Sequence, residues 1–183
     1  MLRAIIGTAA VLAGFGVLER SVDASTGHAG SCTATQAYAL IQHGDTVPVR
    51  AEPTLEGAVI GTLSGRAVTS DLARSQVTIM GSQSGWARIA LNTAQGYAAA
   101  ADTAPQSFGW MPADLLTVDA RVDGTITLSD RPDLLGSTIA TIEGDDMKFR
   151  VLGCRGTRLQ VVNARHGHVW IDKWCAREEG CRG

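Results

Sequence analysis

Cysteine and histidine side chains are the residues of this sequence best able to hold a metal or to cross-link the chain. Cys154, His166, His168, Cys175 and Cys181 all lie between positions 154 and 181. Zinc sites commonly take their ligands from close pairs such as Cys-x-x-Cys, and the sequence contains no such pair. We therefore interpret the cysteines as disulfide-forming residues and predict no metal site and no cofactor.

The four cysteines allow three disulfide connectivities. Cys175 and Cys181 could close a short loop near the carboxyl terminus, which would leave Cys32 to pair with Cys154. Alternatively, Cys154 could pair with Cys175 or with Cys181. An even number of cysteines is typical of exported proteins, because disulfides persist in oxidising compartments.

Motifs of common catalytic sites are missing from the sequence. It contains no Gly-x-Ser-x-Gly, no His-Glu-x-x-His and no phosphate-binding loop. The carboxylates Asp102, Asp114, Asp145 and Asp146 are scattered along the chain. A catalytic site needs a nucleophile or metal, a base and an orienting group close together. We predict that the protein is not an enzyme.

The amino terminus has the pattern of a secretory signal peptide. Met1-Leu2-Arg3 is a short basic start and residues 4–18 are uncharged. In Val22-Asp23-Ala24, a β-branched and a small residue occupy the two positions that a signal peptidase reads. The apolar run is shorter than the roughly 20 residues that span a bilayer as a helix. We predict cleavage after Ala24 and a periplasmic or secreted protein with no membrane span; the alternatives are an uncleaved anchor or a buried helix. Lipidation at Cys32 is disfavoured by Ala29, where an apolar residue such as leucine is expected.

Composition places the chain among ordinary globular proteins. Its 183 residues are 45% hydrophobic and 19% charged, with a formal net charge of −2. These values exclude collagen-like and disordered chains. The absence of a net positive charge argues against a nucleic-acid partner.

The chain after the predicted signal contains an internal repeat. Residues 44–65 align without gaps with residues 123–144, a shift of 79, with seven identities in 22 positions. Such self-similarity indicates a duplicated structural unit. The identities are Thr46 with Thr125, Pro53 with Pro132, Leu55 with Leu134, Gly57 with Gly136, Ile60 with Ile139, Thr62 with Thr141 and Gly65 with Gly144.

Both copies have the local pattern of short β-strands. Thr46-Val47-Pro48-Val49-Arg50 and Thr125-Ile126-Thr127-Leu128-Ser129 alternate apolar and polar residues, and turn-forming residues bound each run. The segment 38–41 aligns with the opening strand of the second copy, so we expect a strand there too. Residues 92–108 are an insertion confined to the first copy, and we predict a mobile loop. The predicted fold class is all-β.

The first copy resembles a bacterial SH3 (SH3b) domain. Four segments carry the likeness: Val49-Arg50-Ala51-Glu52-Pro53, Val59-Ile60-Gly61-Thr62-Leu63, Gly85-Trp86-Ala87-Arg88-Ile89 and Gly109-Trp110-Met111. The second copy is a more divergent match, with Arg158 at the position of Trp86. The resemblance implies two small SH3-like barrels in tandem after the signal peptide. The expected boundaries are 1–24 for the signal, 25–35 for a linker, 36–116 for the first barrel and 117–183 for a second barrel with a disulfide-clamped carboxyl terminus.

Candidate ligand-binding residues come from the same segments: Arg50, Glu52, Trp86, Arg88 and Trp110. Alternation places Trp86 and Arg88 on one face of their strand, opposite Ala87 and Ile89. An exposed tryptophan beside an arginine is typical of binding surfaces. The alternatives are that each tryptophan fills the core, which we favour for either one taken alone, and that Arg50 and Glu52 form a solvated pair of little energetic value.

Three functional hypotheses follow from the resemblance and the predicted export. The first is a non-catalytic module that binds peptidoglycan or another envelope component through an SH3b groove. The second is a structural or interaction protein of the periplasm that binds no polymer. The third is an accessory to, or a remnant of, a cell-wall hydrolase.

Overall fold

A computed structural model describes residues 30–42, 44–65, 72–144, 147–176 and 181. The predicted signal peptide and its cleavage site lie outside these residues. The described chain is built from β-strands and one 3-10 turn at Ala113–Leu115, so the all-β prediction is confirmed. The strands are β1 (Gly30–Gln42), β2 (Thr46–Arg50), β3 (Val59–Ser64), β4 (Leu72–Gln83), β5 (Trp86–Ala90), β6 (Tyr97–Ala99), β7 (Phe108–Pro112), β8 (Leu116–Asp119), β9 (Thr125–Ser129), β10 (Thr138–Glu143), β11 (Lys148–Arg155), β12 (Arg158–Asn163) and β13 (Gly167–Ile171).

All thirteen strands belong to one antiparallel sheet whose two halves have the same strand order. The sheet runs β10-β9-β13-β12-β11-β8-β1-β4-β5-β7-β2-β3-β6. Read outward from its centre, one half is β1-β4-β5-β7-β2-β3 and the other is β8-β11-β12-β13-β9-β10. The repeat in the sequence is therefore matched by a repeat in strand order, with β6 added to the first half. The division into two barrels stays a prediction, because the strands form one continuous sheet.

The two halves meet through equivalent strands. In the antiparallel pair β1–β8, Tyr38 lies opposite Thr117 and Ala39 lies opposite Leu116. Tyr38 and Thr117 are 79 residues apart, which is the shift that relates the two sequence copies. An antiparallel pair of equivalent strands joined at equivalent residues has local two-fold symmetry.

The loops after β2 and β9 repeat the same hydrogen bonds. Ala51 N donates to the carbonyl oxygen of Ala58 at 2.9 Å, and at the equivalent positions Asp130 N donates to Ser137 O at 3.1 Å. Each loop also needs its glycine. A Cβ at Gly136 would lie 2.6 Å from the carbonyl oxygen of Arg131, which is closer than a Cβ can approach. Only glycine, which has no Cβ, fits this position without a shift of the backbone. The loop structure therefore follows from the Pro and Gly positions that the repeat preserves.

One continuous hydrophobic core fills both halves. Alternate residues of each strand point inward, and the buried members come from every strand except β6 and β10. Core side chains include Val49, Ile89, Met111, Leu128, Leu159, Val161 and Ile171.

Two features of the chain differ from the sequence predictions. Residues 30–35, assigned above to a linker, form the first part of β1, where Thr33 N donates to the carbonyl oxygen of Gly156 at 2.8 Å. The sequence of this segment shows no clear apolar alternation, and its strand is held by pairing with β4 and by the disulfide from Cys32 to Cys154. Part of the insertion 92–108 is also ordered, since Tyr97–Ala99 pairs with β3 as β6. The prediction of a mobile loop is wrong for those residues.

One of the two disulfides links the two halves directly. Cys32 on β1 is bonded to Cys154 on β11, and Cys175 is bonded to Cys181. This is one of the connectivities that the sequence left open. The segment that follows β13 returns to the first half, where Trp174 Nε1 donates to Gln36 O at 3.2 Å.

A buried polar cluster lies at the same junction. The hydroxyl of Tyr38 donates to Asp119 Oδ1 at 2.8 Å, and Arg74 Nη1 is 3.3 Å from Asp119 Oδ2. The guanidinium carbon of Arg74 lies 4.5 Å from the centre of the Tyr38 ring. Burial, reinforced by the hydrogen bond to Asp119, raises the pKa of Tyr38. Tyr38 and Arg74 come from the first half and Asp119 comes from the second. The hydrogen bond and the ion pair of the cluster therefore both cross the junction.

Candidate functional site

Three adjacent strands of the first half bring four of the five predicted site residues together. Arg50 on β2 lies opposite Trp110 on β7, and Trp110 lies opposite Arg88 on β5. Directly paired residues of antiparallel strands point to the same side of a sheet. Trp86 is on this side as well, two residues before Arg88. The result is a row of arginine, tryptophan and arginine across three strands, with a second tryptophan beside it.

Both tryptophans are partly exposed. Along β5, Ala87 and Ile89 are buried while Arg88 is exposed, which is the predicted alternation. Trp86 and Trp110 are of intermediate exposure and are not among the buried core residues. The interpretation favoured above for either tryptophan alone, that it fills the core, is wrong. Smaller side chains on the opposite side of these strands fill that space.

Phe108 is a member of the site that the sequence analysis missed. It lies on β7 two residues before Trp110, and its ring centre is 4.2 Å from the guanidinium carbon of Arg88. This cation–π contact holds the arginine over an aromatic ring. Its spacing of two residues from Trp110 is a signal for the same side of a strand, but the sequence pattern assigns Phe108 to the end of the insertion. We call Arg50, Trp86, Arg88, Phe108 and Trp110 the aromatic–arginine face.

Arg50 also anchors the loop that follows β2. Its Nη1 donates to the carbonyl oxygen of Gly57 at 2.7 Å. Glu52 is exposed in that loop, and among the described residues no ion pair joins it to Arg50. Glu52, predicted to be a site residue, therefore makes no ion pair with the arginine of the site that lies closest to it in sequence. The expected solvated pair is replaced by a hydrogen bond from arginine to the backbone.

The aromatic–arginine face offers groups that can make non-covalent contacts. Its groups are ring surfaces and guanidinium donors, which suit stacking and hydrogen bonding to carboxylates or carbonyls. All four cysteines are in disulfides. Within the ranges that the structure describes, no three His, Cys, Asp or Glu side chains are grouped so as to hold a metal ion. In the same ranges, no helix is long and apolar enough to span a membrane.

The second half has an equivalent row with different side chains. Ser129 on β9 lies opposite Trp170 on β13, and Trp170 lies opposite Gln160 on β12. The central tryptophan is kept, whereas both arginines of the row are replaced. Arg158 and His168 occupy the positions that correspond to Trp86 and Phe108. The two halves therefore present different surfaces from the same framework.

A small cleft lies outside the aromatic–arginine face. It has a volume of about 260 Å³ and lies between the start of the insertion and β3. Its lining is uncharged and includes Ile60, Leu91, Tyr97, Thr103 and Pro105. The hydroxyl of Tyr97 is already used, because it donates to the carbonyl oxygen of Ile60 at 3.0 Å.

Comparison with known proteins finds no protein-family model and no curated protein that matches this chain.

Proposed function

We propose that this protein is exported and works as a non-catalytic binding module that holds cell-wall polymer through the aromatic–arginine face. The observation that carries the proposal is the row of Arg50, Trp110 and Arg88 across three strands, with Trp86 alongside. Tryptophan and arginine are the residue types that most often dominate binding energy. A half-exposed ring can stack on a sugar, while a guanidinium pairs with a carboxylate of a peptide stem.

Export is supported by two kinds of observation. The amino-terminal sequence has the three parts of a signal peptide. All four cysteines are in disulfides, which persist in oxidising compartments. The cell wall as the ligand comes from the SH3b resemblance, so it is the part of the proposal that most needs a test.

The direct test is retention of the processed protein on purified, insoluble peptidoglycan. Trp110→Ala removes the centre of the row, and Arg88→Gln removes a charge while keeping a polar side chain. Loss of a central hot spot costs about 2 kcal/mol, which is roughly a 30-fold loss of affinity. Trp174→Phe is the matched control, because Trp174 lies on the returning carboxyl-terminal segment and not on this face.

Three results would count against the proposal. Absence of retention would remove cell-wall polymer as the ligand. Equal retention of the wild type and of the Trp110 and Arg88 variants would remove the aromatic–arginine face as the site. Loss of retention in the Trp174 control would show that the effect is not local. Far-ultraviolet circular dichroism of each variant checks that the fold is intact.

A second candidate function, an interaction protein of the envelope, is favoured by exposed leucines at the tips of the two equivalent loops. Leu55 is 70% exposed, Leu134 100% and Leu135 80%. Leu134 and Leu135 are adjacent, and contiguous exposed apolar surface is a feature of protein contact sites. Cross-linking in the periplasm followed by mass spectrometry tests this candidate. A cross-linked partner that is lost in Leu134→Ser would support it, and unchanged cross-linking of that variant would reject it.

A further inference from the structure

The positive charge of this protein is concentrated in one segment. Although the whole chain has a net charge of −2, the segment 148–173 carries six cationic residues and a single acidic one, Asp172. The six are Lys148, Arg150, Arg155, Arg158, Arg165 and Lys173. The segment forms β11, β12 and β13, three neighbouring strands of the second half.

Strand register places several of these cations on one side of the sheet. Arg155 lies opposite Arg158, and Arg150 lies opposite Val162, which in turn lies opposite His168. Paired residues share a side, and residues two apart on a strand share it too. Trp170, opposite Gln160, belongs to the same side.

The other side of these strands faces the core. Val151, Leu159, Val161 and Val169 are buried there. We call Arg150, Arg155, Arg158, His168 and Trp170 the basic face.

Arg155 and Arg158 are directly opposed in an antiparallel ladder. Like charges in that position repel and destabilise the pair. In addition, Nη1 of Arg158 is buried and has no hydrogen-bond partner among the described residues. A buried donor without a partner also disfavours the folded state. Both unfavourable features are at one place, and a bound anion would relieve the repulsion between the two arginines.

Most arginines elsewhere in the described chain have a partner that those of the basic face lack. Five of the other six make a hydrogen bond, an ion pair, a ring contact or another electrostatic interaction: Arg50, Arg74, Arg88, Arg121 and Arg131. The exception is Arg165, which lies in the turn between β12 and β13. For Arg150, Arg155 and Arg158 the described residues provide no ion pair and no hydrogen bond to the side chain. Arg150 and Arg155 are exposed, so their guanidinium groups are available to a ligand, whereas Arg158 is half-buried and its Nη1 is not in contact with solvent.

We propose that the basic face binds an anionic polysaccharide. Carboxylates of the polymer pair with Arg155 and Arg158, and a sugar ring stacks on Trp170. The planar guanidinium fork matches the geometry of a carboxylate. The half-exposed tryptophan supplies a ring surface beside the charges. The disulfides indicate an oxidising compartment, where extracellular glycans are the abundant polyanions rather than nucleic acid. This site lies on other strands than the aromatic–arginine face, so it does not depend on the function proposed above.

Polygalacturonate fragments are a suitable probe, because their methyl esters provide the same backbone without the charge. Isothermal titration at low ionic strength should show binding of the acid form to the processed protein, weakening as salt is added. The methyl-esterified fragments should bind at least tenfold more weakly. The double variant Arg155→Gln/Arg158→Gln should lose at least tenfold in affinity for the acid form, and Trp170→Ala should also lose affinity.

Two controls separate a defined site from general attraction. Arg131→Gln removes one positive charge from an exposed loop, and Trp174→Phe changes a tryptophan that lies outside both faces; neither should change the affinity. Arg155 is exposed, so Arg155→Gln alone tests the site without disturbing the core.

Equal binding of the esterified fragments would overturn the proposal. So would undiminished binding by the Arg155/Arg158 or Trp170 variants, or an equal loss in Arg131→Gln. Tighter binding of single-stranded DNA of matched charge would assign the face to nucleic acid instead.

Discussion

Replacing Tyr38 by phenylalanine removes a single hydroxyl group from the junction between the two halves. Tyr38 is 1% exposed, and its hydroxyl donates to Asp119 Oδ1 at 2.8 Å. The substitution keeps the ring, and with it the packing and the contact to the Arg74 guanidinium. The measured effect therefore reports mainly the lost hydrogen bond between β1 and β8.

The expected cost follows from the acceptor and its burial. Asp119 is itself 1% exposed, so solvent cannot readily replace the lost donor. Hydrogen bonds to charged groups contribute about 1.5–3 kcal/mol to stability. We expect Tyr38→Phe to lower the free energy of unfolding by an amount in that range.

Urea unfolding with the disulfides intact, followed by tryptophan fluorescence, measures this change. Tyr97→Phe is the matched control, because its hydroxyl donates at 3.0 Å to an uncharged backbone carbonyl and Tyr97 is only partly buried. A hydrogen bond of that kind contributes about 0.5–1.5 kcal/mol. The wild type and both variants should unfold in one transition, because a single core fills both halves.

Two results would refute this reasoning. A loss in Tyr38→Phe no larger than that in Tyr97→Phe would show that the buried cluster does not stabilise the junction. Two separated transitions would show that the halves unfold independently.

Three further predictions concern pH, the long disulfide and a glycine. Because burial and the Asp119 hydrogen bond raise the pKa of Tyr38 above its ordinary value of 10.0, the unfolded chain loses this proton first. The protonated Tyr38 therefore contributes its full stabilisation below about pH 10, and this contribution is lost as the pH rises further. In alkaline unfolding, the stability of Tyr38→Phe should depend less on pH than that of the wild type. Replacing both Cys32 and Cys154 by alanine removes a cross-link between residues 122 apart. The greater chain entropy of the unfolded state should lower the free energy of unfolding by about 5 kcal/mol. A lower urea midpoint would show this loss, and an unchanged midpoint would contradict it. Gly109→Ala would place a Cβ 2.4 Å from Val49 Cγ1, so thermal melting should show a loss of about 1–3 kcal/mol, and wild-type stability would contradict the packing described.

Features set by local sequence could be predicted. The alternation in β5 follows from the order of apolar and polar residues, and the matched loop hydrogen bonds follow from the proline and glycine spacing of the repeat. Arg50, Trp110 and Arg88 could be identified as candidate site residues, but their arrangement as a row across three strands could not be predicted. Its assembly depends on strand order, since β7 lies between β2 and β5 although it follows both in the chain.

Features that depend on long-range pairing could not be predicted. The choice among three disulfide connectivities requires the position of β1 beside the second half. The basic face was hidden by the net charge of −2, because only the register shows that Arg155 and Arg158 are opposed. Tyr38 was predicted to be in a strand, but its bond to Asp119, 81 residues away, has no signal in either local segment.

The most direct test of the proposed function is a titration of the processed, isotope-labelled protein with soluble peptidoglycan fragments, followed by amide NMR spectra. Our account predicts chemical-shift changes confined to β2, β5 and β7, with the side-chain signals of Trp86 and Trp110 among the most affected. Spectra that do not change at saturating fragment concentration, or changes centred on strands other than these three, would contradict it.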